Sequence, residues 1–245
     1  MSGPPDARPG EAATEPSTRR VLYPVVQSGS ETTLRIAAGI AKATGAQLVV
    51  GPIRDSDTTH ETSREAAQTV FRARADTSFD VDVERYTLEG ANPLDAVVSA
   101  VATYGVDLVV LDGNGDASER FEADVARRTD CDTVVVNDRE RLESIASILV
   151  PVDAGPHSGA AVDVADALAD ANDAWVELVH VLEADASPEA RARGEQLVAA
   201  GSASVSPGTT VDTRVLEAVD PVDRVVEESN YHDLTVIGAP RKGRL

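Results

Sequence analysis

Short apolar runs alternate along this chain with longer stretches in which apolar residues return every three or four positions. That pattern predicts parallel strands separated by amphipathic helices. Runs at 20–26, 47–53, 81–88, 107–112 and 133–137 predict five strands in the first half, and runs at 147–153, 175–182, 210–217 and 233–238 predict four in the second. Between them, Leu34, Ala37, Ala38 and Ala41 form one buried helical stripe, and Leu94, Val97, Val98 and Val101 form another. Ala161, Val164, Ala165 and Leu168 repeat the first stripe; Val222, Val225 and Val226 repeat the second.

The recurrence is an internal repeat, with Pro24 matching Pro151 (151 − 24 = 127) and Pro93 matching Pro221 (221 − 93 = 128). Both late helices begin with a capping residue followed by proline, Asn92-Pro93 and Asp220-Pro221. There the side chain accepts from an orphan amide and the proline ring fits the first turn. The expected organisation is a disordered tail over 1–18, an α/β domain over 19–137, a charged linker over 138–146, and a second α/β domain over 147–245 that lacks the last helix and strand. Each domain is expected to be a doubly wound parallel sheet with helices on both faces.

Composition narrows the partners. Hydrophobic residues make up 42% of the 245 but aromatics only 3%, so the core must be aliphatic. Forty-two acidic residues against 22 basic ones give a net charge of −20, which repels nucleic acid and anionic membranes. Lys42 and Lys242 are the only lysines, and acidic excess with scarce lysine points to adaptation to a salty, haloarchaeal cytoplasm. Screening by salt shortens the range of this self-repulsion from about 8 Å at physiological strength to about 3 Å at 1 M. The melting temperature is therefore expected to rise from low salt to molar KCl, and a flat or falling curve contradicts the halophilic reading. The single cysteine, Cys131, excludes an internal disulfide and suits a reducing compartment. With no apolar run near the ~20 residues of a membrane helix and no signal-peptide core, a cytoplasmic protein is expected.

In a doubly wound sheet, ligands bind outside the carboxyl ends of the strands where the strand order reverses. At these positions the second half reads I-L-V-P-V-D, L-V-H-V, P-V-D-R-V-V-E and D-L-T-V-I-G, in that order. This series resembles the universal stress protein family, in a tandem arrangement covering 20–137 and 147–245. The resemblance implies a flavodoxin-like, adenine-nucleotide-binding type of fold with strand order 3-2-1-4-5. It also implies that ATP is held by the Asp ending the first strand and by a glycine-rich loop after the fourth, where backbone amides and a helix N-terminus meet phosphate. Carried over, Asp153 takes the place of that Asp, Pro151 and Val152 of its neighbours, Val181 of the second-strand position and Gly238 of the first loop glycine. Arg241 stands where the second loop glycine belongs, and the closing Gly-Ser or Gly-Thr is missing. In the first half Val26 replaces the Asp, and D-G-N-G-D-A-S-E-R-F-E-A-D-V-A fills the loop.

Other chemistry reads as structure. Asp112, Asn114 and Asp116 open like a calcium loop, but Ala117 and Ala123 stand at its glycine and glutamate positions, which makes a polar turn. His60, His157, His180 and His232 lack metal-site spacing, and Ser158 has no nucleophile elbow and is expected to cap the following helix. A phosphoacceptor receiver domain is disfavoured, because neither half pairs acidic residues after its first strand with an Asp after its third. The expected protein is thus a non-enzymatic regulator or protector of the universal stress protein kind with a degenerate nucleotide site and no metal. The alternative is an ATP-binding, weakly hydrolysing member that uses the second half. The bare strand Leu234–Ile237 is expected to recruit a second copy or a protein partner.

Overall fold

The computed structural model describes residues 19–26, 29–54, 80–113, 118–137, 142 and 144–239. Two parallel sheets account for them. The first contains β1 (Arg20–Val25), β2 (Gln47–Arg54), β3 (Val83–Arg85), β4 (Leu88–Glu89), β5 (Leu108–Asp112) and β6 (Asp132–Val136), in the order β3-β2-β1-β5-β6 with β4 also beside β2. The second contains β7 (Ser147–Pro151), β8 (Trp175–Glu183), β9 (Val211–Ala218) and β10 (Leu234–Thr235), in the order β10-β7-β8-β9. Counted within each half, these orders are 3-2-1-4-5 and 3-2-1-4, the doubly wound arrangement the sequence predicts.

The helices are α1 (Glu31–Thr44), α2 (Pro93–Tyr104), α3 (Ser118–Arg128), α4 (Ser158–Asn172), α5 (Pro188–Ser204) and α6 (Pro221–Ser229). Their ends follow from local chemistry. Asn92 Oδ1 accepts from the Asp95 amide at 3.0 Å, and Asp220 Oδ1 accepts from the Val222 and Asp223 amides at 2.9 and 3.2 Å, so both predicted caps form. Gly45 and Gly105 end α1 and α2 in the left-handed region at φ of 63° and 60°. Part of the stretch read as loop after β5 is helix α3, whose Val125 is fully buried. The predicted 81–88 strand is broken into β3 and β4, and the predicted 233–238 strand is regular only over Leu234–Thr235.

One aliphatic core runs through both halves, because α1 and α4 pack against each other as well as on their own sheets. A Cβ at Gly39 would lie 3.1 Å from Leu168 Cδ2, so the small residue sets how closely the two helices meet. The repeat extends to the polar pins of the sheets. Asp107 Oδ2 accepts from the Arg20 amide at 2.8 Å, and its counterpart Asp233 accepts from the Ala146 and Ser147 amides at 2.9 and 3.0 Å. These amides, that of Ala146 foremost, hold the Asp233 carboxyl below its ordinary 3.8. A depressed folded-state pKa gives stability that is complete above the ordinary value and lost as pH falls through the folded one. Asp233→Asn is therefore expected to lower stability at neutral pH and to make unfolding less steep below pH 3.8, a shift measurable by denaturant titration at several pH values.

The other face of each sheet breaks the symmetry. In the first half, α2 and α3 cover a second apolar core of Leu22, Val49, Ala96, Val97, Leu111 and Val125, among others. In the second half α6 lies over charge instead. The predicted stripe on this helix is turned outward: Val222 is 71% and Val226 57% exposed, Val225 is half-buried, and Glu228 is buried. The cause is a charged cluster beneath the helix, in which Arg214 meets Glu177 at 2.9 Å and Glu228 at 3.1 Å while Arg224 also pairs with Glu228. The buried His232 ring places Nε2 3.0 Å from Glu177 and packs against Trp175 at 5.2 Å between centroids. An amphipathic helix turns whichever face finds partners inward, and here the partners are ionic.

Candidate functional site

At the carboxyl edge of the second sheet, β7 ends with Pro151 paired to Val179, and the Val152 amide still donates to Val179 O at 2.9 Å. Val152 is buried, and its carbonyl accepts from His180 Nδ1 at 2.8 Å, which places the proton on that nitrogen since a carbonyl only accepts. A Cβ at Gly194 would meet His180 Cδ2 at 2.7 Å, so α5 closes over the ring and leaves His180 structural. Val181 lies two residues beyond Val179 on the same edge, half-buried and paired with Leu216.

Asp153 opens the turn into α4. Its amide donates to Ser158 Oγ at 3.0 Å, and its Oδ1 accepts from the Ala154 amide at 2.7 Å. Ser158 therefore braces this turn and does not cap the helix. The residue at the cap position is His157, which makes no side-chain cap hydrogen bond, and the first turn of α4 carries no acidic residue. Helix N-terminal amides left this way favour an anion. Gly238 abuts the same helix start, for a Cβ there would lie 2.7 Å from both the carbonyl carbon and oxygen of His157. The fold thus brings Pro151, Val152, Asp153 and Gly238 to one helix N-terminus with Val181 nearby on the sheet edge, whereas Arg241 lies outside the described residues.

The first half has an equivalent position. Val21 pairs with Leu108 as Ile148 pairs with Leu234, so Asp112 corresponds to Gly238 (234 − 108 = 238 − 112 = 126). Asp112 Oδ2 accepts from the Ser30 amide at 3.2 Å and from the Tyr23 hydroxyl at 3.3 Å, and Oδ1 accepts from the Thr33 hydroxyl at 2.9 Å. Ser30 is itself the cap of α1, accepting from the Thr33 amide at 3.2 Å. The Asp112 carboxylate thus lies at the start of α1. Sequence reading missed this role because it took Asp112 as the opening of a D-x-N-x-D turn. The signal was present in the repeat itself, as an acid standing where the other copy has glycine. Asn114, Asp116 and His60 lie outside the described residues. Among the described residues no three His, Cys, Asp or Glu side chains gather as a metal site requires, and no helix is long and apolar enough to cross a membrane.

No protein-family model matches the chain, and no curated protein matches it in sequence. Solved structures do. A putative universal stress protein from Pseudomonas aeruginosa UCBPP-PA14 aligns with 94% of this chain and 85% of its own, at 16% identity and a TM-score of 0.60. A universal stress protein from Archaeoglobus fulgidus DSM 4304 aligns with 92% of this chain and 86% of its own, at 13% identity and a TM-score of 0.57. The fold, with both halves included, is the one these universal stress protein structures have.

Proposed function

We propose that this chain is a universal-stress-protein-like regulatory or protective protein of the cytoplasm, non-enzymatic, whose tandem fold presents surfaces to partners while its nucleotide site is degenerate. The observation that carries the reading is the Asp112 carboxylate at the start of α1, which fills the anion position of the first half from within. A bound phosphate there would face a fixed negative charge at hydrogen-bond range, and the two repel strongly in a partly buried setting. The second half offers Asp153 and the uncapped start of α4, but Asp153 spends one carboxylate oxygen on the neighbouring Ala154 amide.

That uncapped start also favours a second reading, in which the second half binds ATP through Asp153 and Gly238. Thermal melts with and without ATP and magnesium separate the two. The proposed function predicts a melting temperature unmoved by ATP in wild type and in Asp153→Ala alike. A large ATP-dependent rise in wild type that disappears in Asp153→Ala shows a working pocket in the second half and overturns the proposal.

A further inference from the structure

His232 stands where the first half has the buried Val106, at the spacing of 126 that also relates Asp233 to Asp107 (232 − 106 = 233 − 107). A valine needs no polar partner, but the His232 side chain is only 2% exposed and has two ring nitrogens to satisfy. Nδ1 lies 3.0 Å from the Glu228 carbonyl oxygen in the last turn of α6, and a carbonyl only accepts, so Nδ1 carries a proton. Nε2 is buried as well. It lies 3.0 Å from Glu177 Oε2, within ion-pair range, although no acceptor is aligned with it for a hydrogen bond. Glu177 is held through its other oxygen by Arg214 at 2.9 Å and has no proton to give. With one proton, the ring sets a bare lone pair against this carboxylate. With two, it is a cation between an anion and the negative end of a helix, and both favour it. The other charged groups of the cluster are already engaged. Arg214 and Arg224 share Glu228, Glu227 pairs with Arg224, and the Asp233 carboxylate accepts from the Ala146 and Ser147 amides.

We propose that His232 is a proton-operated latch on α6. With both ring nitrogens protonated it ties the last turn of the helix, through the Glu228 carbonyl, to Glu177 on β8. When the Nε2 proton leaves to solvent, the lone pair faces the carboxylate, the tie to β8 is lost and the helix end loosens on the sheet. The stability that the latch contributes is therefore present on the acid side and lost as pH rises through the titration of the ring. The first half, with Val106 at the same place, has no such control. Proton binding at one buried ring sets how firmly a helix is held, independently of any nucleotide.

Trp175, the only tryptophan, packs 5.2 Å from the ring between centroids and reports its charge, because an imidazolium quenches indole emission more strongly than neutral imidazole does. Emission of the full chain in molar KCl is followed from about pH 5 to about pH 9, which spans the imidazole range, for wild type, His232→Val and Glu177→Gln. The expected result is a single rise with pH in wild type that is absent in His232→Val. In Glu177→Gln, which takes the anion away from Nε2, the rise is expected about one pH unit or more lower. Hydrogen exchange of the 221–229 amides, corrected for the intrinsic rate, is expected to quicken across the same step in wild type. No step in wild type, or the same step in His232→Val, overturns the proposal, since the proton is then not on His232. A midpoint that Glu177→Gln leaves in place also overturns it, as does exchange that does not follow the emission. Circular dichroism checks the fold of both variants, and the Glu177→Gln midpoint decides alone where His232→Val does not fold.

Discussion

Arg214→Ala is expected to destabilise the protein by about 2–3 kcal/mol, as breaking a buried ion pair costs about 3–5 kcal/mol and Arg214 is partly exposed. The substitution leaves Glu177 and Glu228 facing each other beneath α6 with Arg224 as the remaining guanidinium on Glu228. At the same spacing of 128, the first half has Val49, Tyr86 and Ala100 where the second has Glu177, Arg214 and Glu228 (177 − 49 = 214 − 86 = 228 − 100). Replacing all three at once, Glu177→Val with Arg214→Tyr and Glu228→Ala, removes the two carboxylates together with their shared cation and is expected to recover part of the loss, the buried His232 Nε2 losing Glu177 in exchange. Replacing a whole buried network by apolar residues is often neutral or stabilising. Equilibrium urea unfolding checks both, and a single substitution as mild as the triple one shows that the cluster does not hold α6.

Asp112→Gly is the second large effect. It copies Gly238 into the first half and removes the acceptor shared by the Ser30 amide and the Tyr23 and Thr33 hydroxyls. A hydrogen bond to a charged acceptor contributes about 1.5–3 kcal/mol, and although the Ser30 amide keeps the Tyr23 hydroxyl at 2.8 Å, the variant should melt below wild type. The distinguishing readout is anion rescue. With its own carboxylate gone, the start of α1 becomes an anion site, and inorganic phosphate at tens of millimolar is expected to raise the melting temperature of the variant and not of wild type beyond an equal ionic strength of KCl. Identical responses in the two proteins show that Asp112 does not stand in for a bound anion.

The strands were legible because apolar runs between helical stripes leave little choice, and the caps at Asn92 and Asp220 because a capping side chain followed by proline acts over three residues. The orientation of α6 was not legible. A stripe of Val222, Val225 and Val226 shows which face is apolar, while the face that packs depends on Glu177, Arg214 and His232 from two other strands and a turn. Ser158 misled for a related reason: capping and loop bracing use the same hydroxyl, and the choice rests on whether the Asp153 amide lies within reach. Asp112 was hidden by its neighbours in sequence, since its partners sit about 80 residues away.

Isothermal titration of the full chain with ATP and magnesium in molar KCl tests the proposed degeneracy of the nucleotide site most directly. The carboxylate at the start of α1 and the engaged Asp153 predict no saturable heat for wild type, nor any for Asp153→Ala. Tight one-to-one binding by wild type, lost in Asp153→Ala, would contradict the account and make the second half a working nucleotide site.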